Sequence, residues 1–282
     1  MDALSDPPPE GHAELPRRQM LLAAGGLVLL SGFGSVTSVR PATAAGRRPG
    51  PARAGGANLA SAEPIRPISH RYEYVRRPAR HHATLAADEQ PMEHLHDGRK
   101  VIALTIDDGP SPIYTPQVLR LLHKYKITAS FSMIGINVVA YPEVARAVAE
   151  AGHMIVNHTW RHPDLALLPP AAVRSEIDQA TEAIHRATRR VPDMFRAPYG
   201  AWSPAVLQRC AELNMQPLDW SVDPRDWARP GVPEIVGNIM DNTRTGSIIL
   251  EHDGGGDRSQ TVAALRIVIP RLLDAGYHFR TP

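Results

Sequence analysis

Two patterns of apolar residues alternate along the chain after residue 100. Short apolar runs are separated by longer stretches in which apolar side chains recur every three to four residues. The first pattern is typical of buried strands and the second of amphipathic helices. The predicted strands are 101–106, 127–134, 153–156, 194–195, 215–218, 247–250 and 278–281, and the predicted helices are 115–125, 142–151, 171–187, 204–213, 233–242 and 261–275.

This alternation of strand and helix predicts a parallel sheet joined by right-handed helical crossovers. Seven strands fit into about 180 residues, whereas a full eight-stranded barrel uses about 250. The predicted fold class is therefore α/β, in the form of a distorted, incomplete (β/α)7 TIM-like barrel.

The first 44 residues have the layout of a signal peptide. Arg17 and Arg18 precede an apolar, glycine-punctuated stretch at 20–30, and 42–44 is a small-residue cleavage sequence. The paired arginines resemble a twin-arginine signal. The alternative is an uncleaved anchor over 20–36, which is barely long enough to span a bilayer. Both interpretations place the rest of the chain outside the cytoplasm, secreted or associated with the cell wall.

Residues 45–98 are rich in Arg, Pro, Gly, Ala and His and lack sustained periodicity, which predicts a disordered linker. We expect residues 99–282 to form one domain, because a chain of 282 residues with 43% hydrophobic content can bury one full-sized core. The net charge of +2 includes no basic stripe in this domain, so nucleic acid is a poor candidate partner.

Cysteine usage limits the kinds of metal site that the chain can form. Cys210 is the only cysteine, so an intramolecular disulfide is excluded. Zinc sites of four cysteines, or of two cysteines and two histidines, are excluded as well. A metal bound to this chain must be held by histidine and carboxylate.

Polar clusters begin where predicted strands end, at the face where barrel enzymes place their chemistry. Asp107 and Asp108 are adjacent on extended backbone, so we expect their side chains to point in different directions and hold different partners. A turn or a helix cap is the alternative for this pair. His158 and His162 are four residues apart, a spacing that suits two ligands of one metal. Pro163 favours a short turn over a helix there.

The remaining clusters follow later strands. Arg196 can fork onto a carboxylate, or it is only an ion-pair partner at a strand end. Two tryptophans stand among three aspartates at 219–227, which suits a sugar platform beside a carboxylate, although a core role for them is the alternative. His252 precedes three glycines at 254–256 and is a candidate general acid.

Taken in order, these clusters resemble the five motifs of the polysaccharide deacetylase family, also called carbohydrate esterase family 4 or the NodB-homology domain. The resemblance covers residues 100–282. The motif T-F-D-D-G-P matches 105–110 with Ile106 in place of Phe, H-[S/T]-x-x-H matches 158–162, R-x-P-x-G matches 196–200, D-x-x-D-W matches 223–227, and L-x-H matches 250–252.

The resemblance implies a metal-dependent hydrolase that removes N-acetyl groups from an amino-sugar polysaccharide such as peptidoglycan or a chitin-like oligosaccharide. It makes Asp108, His158 and His162 ligands of a divalent cation, Zn²⁺ first, with Co²⁺, Mn²⁺ or Ni²⁺ as alternatives. Hydrolysis of acetyl esters on xylan is an alternative activity. A glycan-binding pseudoenzyme is another, but the expected loss of a catalytic or metal-binding residue is not found.

The resemblance also assigns catalytic roles. Asp107 is the general base, oriented by Arg196, and His252 is the general acid, partnered by Asp226. The remaining assignments are oxyanion stabilisation by the backbone amide of Tyr199 and the acetyl-methyl pocket at Leu250. Trp227, beside the aspartates, is the expected sugar contact. The expected partner is an acetylated glycan, with no stable membrane partner beyond the export signal, and the expected state is a monomer.

Overall fold

Seven parallel strands surround the centre of the fold. The structure, a computed structural model, describes residues 90–282. The predicted signal peptide and most of the predicted linker lie outside the described residues. All seven predicted strands are confirmed. They are β1 Val101–Gly109, β2 Ser130–Met133, β3 Met154–Asn157, β4 Met194–Phe195, β5 Gln216–Pro217, β6 Ile248–His252 and β7 His278–Phe279.

The strands follow the order β5-β4-β3-β2-β1-β6, and β7 pairs with the start of β1. The ring closes through irregular segments between β5 and β6. Val222 accepts a hydrogen bond from Leu250 N at 2.9 Å and donates to Ile248 O at 3.1 Å. Met92 and His94 form single bridges to Leu218 and Ser247, on either side of the same gap. These features confirm a distorted, incomplete α/β barrel.

Seven helices cover the sheet. They are α1 Thr115–Tyr125, α2 Gly135–Ala140, α3 Pro142–Glu150, α4 Pro170–Thr188, α5 Pro204–Leu213, α6 Val232–Asn242 and α7 Ser259–Asp274. Six of them confirm predicted helices to within two residues at each end. Pro occupies the first turn of five of these seven, where its missing N–H has no helical partner to lose. Helix α2 was not predicted, because its apolar residues continue directly from those of β2.

The predicted end of the linker at residue 98 is wrong, because residues 92–95 belong to the folded domain. Met92 N donates to Pro217 O, and Asp219 N donates to Met92 O, both at 2.9 Å. Leu95 packs with Met92 against an apolar cluster that includes Ala103 and Ile248. This segment is extended but pairs only through single bridges, so it has no strand-like period for a sequence pattern to detect.

Strand β1 is buried on both faces, as expected for a strand between a barrel interior and a helical layer. Ile102, Leu104 and Ile106 belong to the core shared with the helices, whereas Ala103 belongs to the cluster inside the ring. Since side chains alternate along a strand, Asp107 shares the inner face with Ala103. Within residues 90–282, no helix combines the length and apolar character that a bilayer-crossing segment requires.

Candidate active site

A bulge at the end of β1 separates the two adjacent aspartates. Asp107 is in register with Ser132 of β2, but the next paired residue is Gly109, opposite Met133, so Asp108 is left out of the ladder. Asp108 has a left-handed backbone, with φ of 71°. The two carboxylates therefore diverge because of a bulge and not, as predicted, through regular strand alternation.

Asp108 lies against a backbone that approaches it very closely. A Cβ atom on Gly254 would lie 2.0 Å from the carbonyl oxygen of Asp108, so no other residue fits there without displacement. Asn137 of α2 donates to the same carbonyl from its side chain, at 2.9 Å. The backbone of Asp108 is thus held from two sides.

His158 and His162 lie on an irregular turn, which confirms that they are not on a helix. Thr159 and His162 both have left-handed backbone, with φ of 69° and 65°. The first amide of α2, Gly135 N, donates to Thr159 O at 2.9 Å. The ring of Trp160 occupies the space beside Gly135, where a Cβ atom would lie 2.3 Å from the ring. Helix α2 therefore fixes the histidine turn.

Asp108, His158 and His162 form the one group of metal-binding type found within residues 90–282, with donor atoms within 4.8 Å of one another. Asp108 Oδ1 lies 3.2 Å from His162 Nε2 and 3.6 Å from His158 Nε2. His158 Nδ1 lies 2.9 Å from Arg196 O and donates to it, which turns Nε2 toward Asp108. The structure thus brings together the three side chains that were predicted to bind one metal, and the binding itself stays a prediction.

The chemistry of this group fits a divalent cation. Asp108 Oδ1 is buried and forms no hydrogen bond within the described residues, and its polar neighbours are the two imidazole nitrogens, so a cation between them would supply the missing partner. Burial raises the pKa of Asp108, but the interaction with nearby His158 outweighs burial, and the net pKa is below its ordinary value. Burial, together with the charge of His158, lowers the pKa of His162. The lowered pKa values keep Asp108 ionised and disfavour protonation of His162, and metal binding requires both groups without their proton.

Arg196 is fully buried and anchors Asp107. Its Nη1 donates to Asp107 Oδ1 and to Thr105 Oγ1, both at 2.8 Å, and its Nη2 donates to Asp219 O at 2.8 Å. Arg196 therefore donates to three different acceptors and not, as predicted, with two nitrogens to one carboxylate. Asp107 keeps Oδ2 free of the arginine, 3.8 Å from His158 Nε2. The face of Trp220 lies 5.7 Å from the guanidinium.

His252 and Asp226 form a second buried pair. His252 Nδ1 lies 2.7 Å from Asp226 Oδ1, and the His252 backbone N donates to Asp226 Oδ2 at 3.0 Å. Burial lowers the pKa of His252, but the hydrogen bond and charge of Asp226 dominate and raise it to about 9. Burial raises the pKa of Asp226, and the interactions with His252 outweigh this, so the net pKa is lowered. An imidazolium beside a carboxylate is the stable state of this pair.

Comparison with known proteins identifies the family. The family model for polysaccharide deacetylase matches residues 94–218. A chitooligosaccharide deacetylase of Bradyrhizobium sp. (strain ANU 289) is 43% identical over 192 residues, covering 64% of this chain and 88% of the relative. A peptidoglycan-N-acetylglucosamine deacetylase of Bacillus cereus is 43% identical over 187 residues, covering 66% and 87%. The chain belongs to the polysaccharide deacetylase family.

A solved member of the family has the same fold. The crystal structure of the Bc1960 peptidoglycan N-acetylglucosamine deacetylase superposes with a TM-score of 0.65 at 33% identity, covering 67% of this chain and 89% of that one. Metal dependence is a general trait of this family. The donor set of Asp108, His158 and His162 accords with that trait.

Of the remaining predicted site residues, two are exposed aromatic residues and one is buried. Tyr199 is 69% exposed and its hydroxyl lies 3.2 Å from His162 Nδ1. Trp227 directly follows Asp226, is 44% exposed, and stacks under the guanidinium of Arg225 at 5.3 Å. Leu250 is buried. Exposed aromatic rings next to the two polar pairs are suited to contact a sugar face.

Sequence reasoning missed three residues that support the polar pairs. Thr261 of α7 donates to Asp226 Oδ2 at 2.6 Å, and nothing in the sequence links these positions. Asp253 accepts a hydrogen bond from Thr115 Oγ1 at 2.6 Å, and burial is the main cause that raises its pKa to about 7. Glu251 is fully buried beside His252. Charged residues on both sides of His252, at the end of an apolar strand, were the available signal for the last two.

Proposed function

We propose that this chain is a metal-dependent N-deacetylase that hydrolyses acetamido groups on amino sugars of a polysaccharide, either peptidoglycan or a chitin-like oligosaccharide. One observation carries the proposal. A donor set of one carboxylate and two imidazoles lies at the barrel mouth beside an anchored carboxylate, Asp107, and an imidazolium, His252. Amide hydrolysis needs a base for water, an electrophilic centre for the carbonyl and an acid for the amine.

The proposed ligands of the cation are Asp108, His158 and His162, and the proposed ion is Zn²⁺. Two histidines and one carboxylate are a common catalytic zinc set, which leaves further coordination positions open. When bound, such an ion polarises a carbonyl and lowers the pKa of water. Cobalt, manganese and nickel are the alternatives that reconstitution distinguishes.

Asp107 is the proposed general base. Arg196 donates to Oδ1 and immobilises it, so the guanidinium compensates the charge of the buried carboxylate. Oδ2 is directed toward the histidine ligands, where it can take a proton from water. Arg196 thus acts as a positioning residue for Asp107.

His252 is the proposed general acid. Its raised pKa keeps the ring protonated at neutral pH, and Asp226 fixes the ring through Nδ1, leaving Nε2–H as the donor. The departing amine of an amide is a very poor leaving group unless it is protonated, so the imidazolium supplies that proton.

Tyr199, Trp227 and Leu250 complete the proposed site. Trp227 and Tyr199 present exposed rings for the sugar, and Leu250 is suited to contact the acetyl methyl group. The backbone amide of Tyr199 is the proposed donor to the oxyanion, a contribution worth about 3 to 4 kcal/mol in other enzymes.

The proposed location is outside the cytoplasm, and the support for it is the sequence of residues 1–44, with Arg17 and Arg18 before an apolar stretch. We propose a monomer with an acetylated glycan as its partner, without a nucleic-acid partner.

Acetate release tests the function. Purified protein is incubated with peptidoglycan, chitin oligomers and acetylated xylan, before and after treatment with a chelator. We expect acetate from an amino-sugar substrate, loss of release with the chelator, and recovery on addition of Zn²⁺. Release from acetylated xylan alone would replace the proposal by O-deacetylation, and chelator-resistant release would exclude the metal.

A further inference from the structure

Glu251 is a buried acid that the proposed mechanism does not use. It occupies the middle position of the L-x-H motif, which the family pattern leaves open. Along β6, Ile249 belongs to the core between the sheet and the helices, and Glu251 shares that face because side chains alternate. Its side chain is 0% exposed. The charged groups around it are Asp226, Asp223 and Arg258, besides the adjacent His252.

No hydrogen-bond donor within residues 90–282 reaches either carboxyl oxygen of Glu251. Arg258 is the cation whose charge acts on Glu251. Its guanidinium donates instead to the carbonyl oxygens of Gly254, Trp227 and Gly255, at 2.6, 3.2 and 3.2 Å. An ionised carboxylate without donors is strongly unfavourable in a protein interior. Burial, with the charge of Asp226 next, raises the pKa of Glu251 well above its ordinary value.

A neutral carboxyl group carries an O–H that needs an acceptor. The carboxylate of Asp226 lies within interaction range of Glu251, where two ionised groups would repel each other and a neutral Glu251 can donate its O–H to Asp226. Asp226 already accepts from His252 Nδ1, from the His252 backbone amide and from Thr261. A neutral Glu251 would supply one more donor to the carboxylate that holds the ring of His252.

We propose that Glu251 is a positioning residue whose neutral carboxyl group donates a hydrogen bond to Asp226 and fixes that carboxylate beneath His252. The consequence for turnover rests on the proposed function of His252 as the general acid. The bond to Asp226 itself does not depend on that function, so the two parts can be tested separately.

Infrared difference spectroscopy tests the proton directly. The spectrum of the wild-type protein minus that of Glu251→Gln at neutral pH should contain the carbonyl stretch of a protonated carboxylic acid. Glu176→Gln is the matched control, because Glu176 is also buried but accepts from Arg161 N at 2.8 Å and pairs with its guanidinium at 3.5 Å. Its difference spectrum should contain ionised carboxylate bands. The same ionised bands for Glu251 would overturn the proposal.

Kinetics on an amino-sugar substrate test the positioning role. Glu251→Met keeps the volume and removes the donor, so we expect kcat to fall about tenfold with KM nearly unchanged, since a bond to a charged acceptor is lost. Glu251→Gln keeps a donor and should recover most of that loss. Equal losses in both variants, or none in either, would refute the role. If the wild-type protein releases no acetate, the proposed function fails, and the infrared result still decides the proton's position.

Discussion

Asp107 and His252 are register partners on the adjacent parallel strands β1 and β6. The backbone ladder joins them further, because Asp253 N donates to Asp107 O at 3.0 Å. Register partners project to the same face of a sheet, so the proposed base and acid are held side by side at the barrel mouth by main-chain hydrogen bonds. Each then has its own buried partner, Arg196 for Asp107 and Asp226 for His252.

Asp107→Asn should abolish turnover while the metal remains bound. The amide keeps the shape and a contact with Arg196 but cannot take a proton from water. We expect kcat to fall by about 10²- to 10⁴-fold. Metal content per protein, measured by atomic absorption, should equal that of the wild type. Asp108→Asn is the matched comparison and should lose metal, so a metal-free Asp107→Asn protein would mean that the two aspartates have exchanged roles.

Removal of either histidine of the turn should remove the metal. His158→Ala and His162→Ala each take one of three protein ligands, which leaves the cation two donors and a large loss of affinity. Metal titration by calorimetry measures this. His123→Ala, at an exposed position of α1, is the control that should bind metal normally. Stoichiometric metal in either variant of the turn would exclude the ligand assignment.

Most of the barrel could be predicted from the sequence because its strands are short apolar runs between amphipathic helices. Helix α2 was missed because no polar residue separates its six residues from the end of β2. The segment around Met92 was assigned to the linker because it pairs through single bridges. Such features depend on contacts between residues far apart in the chain, which a local pattern of apolar and polar residues does not reveal.

The polar site, too, could be predicted only in part. The residue types and spacings of Asp107, Asp108, His158 and His162 could be predicted, together with their convergence at the strand ends. The bulge that separates the two aspartates could not, because no residue type marks it. The bond from Thr261 to Asp226 joins a helix to a distant loop, and only the folded structure brings them together.

The His252–Asp226 pair predicts a characteristic titration. The pKa of His252 is raised above the ordinary value of 6.5 to about 9, so the ring stays protonated until pH rises through about 9. A raised folded-state pKa means that the pair's contribution to stability is fully present below about 6.5 and is lost as pH rises through about 9. NMR titration of the metal-free protein should place the His252 midpoint near 9. Asp226→Asn should lower it, and an unchanged midpoint would show that Asp226 is not the cause.

The paired arginines of the predicted signal can be tested by secretion. Arg17→Lys with Arg18→Lys keeps the positive charge but should block export if a twin-arginine signal is read, because that route recognises the arginines themselves. Immunoblots of medium and cell fractions measure the result. A Lys-for-Arg change at Arg40, beyond the apolar stretch, is the control. Unchanged secretion of the double variant would exclude the twin-arginine route and leave export by another signal open.

His252→Ala should discriminate between two leaving groups. An amide expels an amine that must be protonated, whereas an activated acetyl ester expels a stable anion that needs little help. On an amino-sugar amide we expect kcat to fall toward the upper end of the range of about 10² to 10⁴ that general acid catalysis contributes. On an activated ester the same variant should lose much less, because the base and the metal ligands are untouched. Both losses in kcat are measured on one preparation with full metal content. General damage to the site would lower both alike, so their ratio reports the loss of proton delivery alone. Asp107→Asn is the matched comparison, since attack by water is needed for both substrates and both losses should be large. Equal losses on amide and ester for His252→Ala would assign the acid role to another group.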